Sequence, residues 1–229
     1  MLEGTNIPDQ LTYHEVEAHA ARPEVAKDRL YLPATAISAL FTPFMLPFVA
    51  FLMLFFFTFL RVTPWQYKVM VLSVVYCFTI LMPMLGIYLF QKLNGWGIHE
   101  LGEREKRFVP YILTILSYIA CYITMLRIHT PGYMSGIILA TLICMTLCAL
   151  VNVRLKVSTH MASCGVMVGG LVSFSMLFQF NPVVWLCLFI LLAGMLGSAR
   201  MILRQHTLAE VGGGFFIGLL CGITGILFI

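Results

Sequence analysis

Arg200, His206 and Glu210 stand six and four residues apart in the stretch Ser198 to Gly218, between two apolar segments. An arginine fork grips an anion and an imidazole can attack it. A carboxylate four residues further along a helix can hold the imidazole in one tautomer. Charge beside a membrane span is costly, so three such side chains in one short stretch point to chemistry on an anionic group. The competing reading is a basic loop that only stops the preceding helix at the membrane surface. Two more stretches carry residues of the same kind. KVSTHMA, residues 156 to 162, holds Lys156, Ser158 and His160, and EREKRFVPY, residues 103 to 111, holds Arg104, Lys106 and Arg107.

These side chains have to be positioned by membrane helices. Of the 229 residues, 60% are hydrophobic and 10% charged, where a soluble domain is nearer about a quarter charged. Apolar runs occupy residues 35 to 60, 69 to 91, 109 to 126, 134 to 153, 161 to 180, 183 to 197 and 211 to 229. Each is close to the ~20 residues that cross a bilayer, and the short sixth run can borrow from Ser198 onward. The expectation is an all-α polytopic transmembrane bundle of seven spans, or six, because helices satisfy their own backbone groups in lipid. Residues 1 to 34 form a polar segment with six of the ten acidic residues, too short for a core of its own. It is expected as a surface helix or tail ahead of one transmembrane domain, 35 to 229. Its pattern is not that of a removable signal peptide, so the first span is expected to be retained. The seven cysteines all fall in apolar runs and read as packing residues.

With the faces of the bundle assigned by the parity of the spans, eleven of the fourteen lysines and arginines and all ten acids fall on the N-terminal face. As a positive-inside signal this places that face in the cytoplasm, but cations that bind a phosphate are not topology signals. The side of the membrane is left open. A transporter is disfavoured, since no span carries an acidic or basic residue near its middle and the sequence shows no internal repeat. Gly165 with Gly169, and Gly214 with Gly218, are spaced to let helices approach closely.

On these three stretches the chain resembles the type 2 phosphatidic acid phosphatase superfamily. In the third part of that family's signature, Ser198 and Arg200 are followed by five residues, His206, three residues and an acid, Glu210. Here Ala199 is inserted between the Ser and the Arg, and Glu replaces Asp. Ser158 and His160 match the second part, with Val157 and Thr159 where the family has Pro and Gly. In the first part Arg107 and Pro110 are near each other but not adjacent, and Glu100 stands where the family has Lys. The matching region lies within residues 103 to 218.

The resemblance implies a helical membrane phosphatase that works without a metal or other cofactor. His206 is then the nucleophile, Glu210 its orienting partner and His160 the general acid and base. Arg200 and Arg107 are the main phosphate clamps, with Arg104, Lys156 and Ser158 in support. The expected partner is a membrane lipid substrate and not a nucleic acid: phosphatidic acid, phosphatidylglycerol phosphate, a polyprenyl diphosphate or lipid A. A phosphotransferase of the same fold and an inactive lipid- or partner-binding bundle are the alternatives. Compact loops suggest a bacterial inner membrane.

Overall fold

The computed structural model describes residues 24–94 and 108–227. Its elements run α1 Glu24–Leu40, α2 Met45–Phe57, a 3-10 turn Phe59–Val62, α3 Trp65–Tyr76, a π turn Cys77–Leu81, α4 Met82–Asn94, α5 Phe108–Arg127, α6 Gly132–Asn152, α7 Thr159–Phe178, α8 Val183–Ile202 and α9 Leu208–Leu227. The protein is an all-α polytopic bundle. Among the described residues, six helices are long and apolar enough to cross a membrane, the first of them the continuous stretch Trp65–Leu93 through the π turn. A seventh span is reached if the bent pair Tyr31–Leu40 and Met45–Phe57 counts as one.

That pair departs from the single run expected over 35 to 60. Its two helices meet at 65°. The break falls at Phe41–Phe44 because Pro43 has no N–H to donate and excludes Thr42 from helical geometry. Pro47, by contrast, is the third residue of α2, where its missing N–H costs no helical bond. Pro83 makes itself felt one turn earlier. The backbone N–H of Met82 reaches Cys77 O, a five-residue step, and the hydroxyl of Ser117 on α5 donates to the Phe78 carbonyl freed within the turn.

The short sixth run borrows residues from Ser198 onward, as expected. It continues as helix α8 through Ile202, so Ser198 and Arg200 are helical and only five residues, 203 to 207, separate α8 from α9. Likewise Ser158 is the N-cap of α7 and His160 lies in its first turn.

The centre of the bundle is the pair α7 and α9, parallel and nearly backbone to backbone. A Cβ on Gly218 would lie 1.8 Å from the Ala162 carbonyl oxygen, one on Gly165 2.1 Å from that of Phe215, and one on Gly214 2.5 Å from that of Ser158. Nothing larger than hydrogen fits there. Around this pair the hydroxyls of Thr141, Ser163 and Ser173 bond to carbonyls one turn back on their own helices, so they enter the lipid-solvated interior satisfied. Large apolar side chains such as Leu85, Ile190, Leu191 and Phe216 are left facing outward, as a bundle in hydrocarbon allows.

Gly218→Ala should therefore lower stability by about 1–3 kcal/mol or more, the range of overpacked sites. Gly213→Ala, on the open side of the same helix with nothing within 4 Å of its Cβ, should be neutral or stabilising. Thermal melting of the two variants in detergent measures the difference; equal melting points would remove the packing role of this seam.

Candidate functional site

The turn between α8 and α9 is built from two local motifs. At the end of α8 the N–H of Arg204 bonds to Met201 O at 2.9 Å and that of Gln205 to Arg200 O at 3.2 Å. This is a Schellman stop, with Arg204 in the left-handed region (φ 53) where glycine is usual. Two residues later Thr207 and Glu210 form a reciprocal capping box. The Thr207 N–H donates to Glu210 Oε2 at 3.3 Å and the Glu210 N–H to Thr207 Oγ1 at 3.4 Å. Between stop and start there is room for His206 alone, so Arg200 and His206 are forced to one end of the bundle.

The same carboxylate holds the imidazole. Glu210 Oε2 lies 2.8 Å from His206 Nδ1, and the two side chains are 22% and 8% exposed. The carboxylate accepts, so Nδ1 carries the proton and the Nε2 lone pair is left free. Burial holds the His206 pKa below the ordinary imidazole value. The bond to Glu210 opposes that, while Arg200 and Lys156 add to the lowering. His206 is thus neutral near pH 7, with a nucleophilic nitrogen available.

The α7 end is joined to this turn by two contacts. The Ser158 N–H bonds to Glu210 O at 3.2 Å, and the Lys156 ammonium donates to the Gln205 carbonyl. Two parallel helix N-termini therefore lie side by side, each carrying the positive end of its dipole. A cleft of about 420 Å³ opens beside them. Lys156, Thr159, Arg200, Gln205 and His206 form its polar wall, and Phe44, Pro110, Tyr111 and Met145 face them.

The structure thus brings six of the eight expected residues to one place: His206, Glu210, Arg200, Lys156, Ser158 and His160. Arg104 and Arg107 lie outside the described residues; the first described turn of α5, with Pro110 and Tyr111, borders the cleft. The six are not equivalent. Arg200, Lys156 and His206 line the cleft, Glu210 stands behind His206, and Ser158 is fully buried. The Ser158 hydroxyl does not cap α7, and neither it nor His160 Nδ1 has a hydrogen-bond partner among the described residues.

Sequence reasoning missed Ser38. From α1 its hydroxyl accepts a bond from Arg200 Nη1 at 2.9 Å, and its main chain meets the His160 ring. A lone serine in the run ATAISALF carries no charge or spacing signal, and its partners lie more than a hundred residues away. It occupies the flank of the site on which Arg200 and His160 lie.

Comparison with known protein families, with curated proteins and with solved structures finds no match for this chain.

The environment of His206 fixes the sign of three titrations. Its NMR midpoint should lie below the ordinary imidazole value of about 6.5. Lys156→Met removes a neighbouring cation and should raise the midpoint, whereas Glu210→Gln removes the stabilising carboxylate and should lower it. A midpoint at or above the ordinary value, or opposite shifts in the variants, would contradict the buried, cation-flanked imidazole.

Proposed function

We propose that the protein is an integral membrane phosphohydrolase that releases phosphate from a lipid phosphomonoester or diphosphate through a phosphohistidine on His206. The membrane intended in this reading is a bacterial inner membrane. One observation carries it: an imidazole held by a carboxylate through Nδ1, with its pKa lowered by burial, lines a cleft walled by Arg200 and Lys156 at two helix N-termini.

In this mechanism phosphate oxygens sit against the Arg200 fork and the Lys156 ammonium, which stabilise the charge that spreads during attack. His206 Nε2 forms a bond to phosphorus as the bond to the lipid oxygen breaks. That oxygen takes a proton from His160. His160, now neutral, removes a proton from water, and the hydroxide attacks the phosphohistidine. The phosphorus–nitrogen bond breaks, inorganic phosphate leaves, and both imidazoles return to their starting states. Glu210 keeps the Nδ1 proton in place throughout, stabilising the cation that His206 becomes on phosphorylation. Arg104 and Arg107 are assigned to the same phosphate by the family resemblance. With another hydroxyl in place of water the same steps make a lipid phosphotransferase.

A second reading, an anion-binding bundle without turnover, is favoured by Ser38, which engages one arm of the Arg200 fork and, through its main chain, the His160 ring. In the hydrolase, Ser38 yields both contacts when substrate binds.

Purified protein assayed on a panel of lipid phosphates and diphosphates should release phosphate, and His206→Ala should abolish it. Arg200→Lys should cost about a hundredfold in rate, as loss of a transition-state donor does. Phosphate binding that persists with no release from any panel member would establish the non-catalytic reading. Ser38→Ala removes the hydroxyl that competes for the arginine fork, so KM should fall severalfold; a rise in KM would show instead that the Ser38 hydroxyl belongs to the phosphate cradle.

A further inference from the structure

A second, narrow void, of about 80 Å³, lies between α2, α6, α7 and α8, and the proposed chemistry leaves it unused. Its walls are carbon: Leu46 and Met53 of α2, Met167 and Phe174 of α7, and Phe189 of α8 among them. Three hydroxyls border it, and each already donates to its own helix: Thr58 to Leu54 O, Thr141 to Ile137 O and Ser163 to Thr159 O. A polar ligand would leave its own groups unmatched here, at the cost of burying them unbonded. An apolar chain would lose nothing.

The void and the cleft follow one another along a single seam. Phe44 and Met145 border the cleft, while Pro47 and Thr141, about one turn further along α2 and α6, border the void. From Ser163, one turn below His160, to Phe174 the α7 wall descends about 16 Å at the helical rise. The rings of Phe57 and Trp185, whose centroids are 4.6 Å apart, line its far end. The space therefore begins below the cleft and runs into the membrane, with this ring pair as its floor.

We propose that this void is the tail site of the substrate: it takes one hydrocarbon chain of the phosphoester whose phosphate meets His206, and the Phe57–Trp185 pair limits the length it admits. The inference rests on the hydrolase reading for the head group alone, since the chain is held by walls that take no part in the chemistry. One chain fits the seam between α2 and α6, so single-chain phosphates, such as long-chain alkyl or isoprenyl phosphates, are the class selected. A two-chain lipid would leave its second chain outside, against the bilayer.

The test uses n-alkyl monophosphates of increasing chain length, with and without a photoreactive diazirine at the chain end, on the full-length protein in detergent. Photolabel should map by mass spectrometry to the lining residues of α2, α7 and α8, and excess unlabelled alkyl phosphate should suppress it. Phosphate release should rise with chain length to an optimum. Ala50→Phe, which fills the void, should cut kcat/KM for the longest chain by about tenfold or more while leaving the shortest unchanged. Trp185→Ala removes the floor and should move the optimum to longer chains, a gain that misfolding cannot produce. Label on the lining residues with no phosphate release would sustain the tail site and end the hydrolase reading. Release with label spread over lipid-facing residues such as Leu85 and Leu89, or with no dependence on chain length, would overturn the tail site.

Discussion

The close contact of α7 with α9 is the constraint on which the other features depend. Glycines on both helices, Gly165 and Gly169 on one and Gly214, Gly218 and Gly222 on the other, meet backbone that would collide with any Cβ. Because the helices run parallel, this contact also brings their N-termini together, and the Ser158 N–H to Glu210 carbonyl bond ties them at the top. Two like dipole ends side by side repel each other, each equivalent to about half a positive charge. The packing energy of the seam holds them there. The result is an electropositive end that a carboxylate or a bound anion relieves, before any arginine or lysine is counted.

Glu210 shows how structural and chemical roles coincide. As the third residue past its cap it completes a capping box, a role worth about 1 kcal/mol. The same oxygen meets His206 Nδ1 at 2.8 Å and the Thr207 N–H at 3.3 Å, so the imidazole has the stronger share. A hydrogen bond to a charged group contributes about 1.5–3 kcal/mol. The cap explains why a glutamate stands at that position; it does not explain why a buried histidine is placed within its reach. The Schellman stop with Arg204 at positive φ adds to this, because a shorter or looser turn would not force Arg200 and His206 to the same cleft wall.

Much of this was legible in the sequence, for identifiable reasons. Apolar run length gave the all-α bundle and its spans, since backbone groups in lipid leave few alternatives. The four-residue step from His206 to Glu210 and the glycine pairs at four-residue spacing translated directly into contacts. The first span did not, because Thr42-Pro43 reads equally well as a kink or as a break, and only packing decides which. The end of α8 could not be read from the sequence, because its stop has Arg204 where glycine is usual. Ser38 was illegible: its role comes wholly from α1 packing on α8, a long-range contact that no local pattern encodes.

The electrostatics of the site order the events of the proposed reaction. In the unliganded state burial, Arg200 and Lys156 together outweigh Glu210 and keep His206 neutral, so its lone pair is available before substrate arrives. A phosphate dianion entering the cleft cancels those cations, and the balance then moves toward Glu210 and a positive imidazole. That is the charge His206 acquires as it attacks, so the bound anion stabilises the phosphorylated histidine and not the resting one. Loss of phosphate restores the unshielded cations and with them the neutral nucleophile. The cations that bind the substrate therefore also reset the histidine, which is why a site of this kind needs them beside the nucleophile and not merely along the route to it.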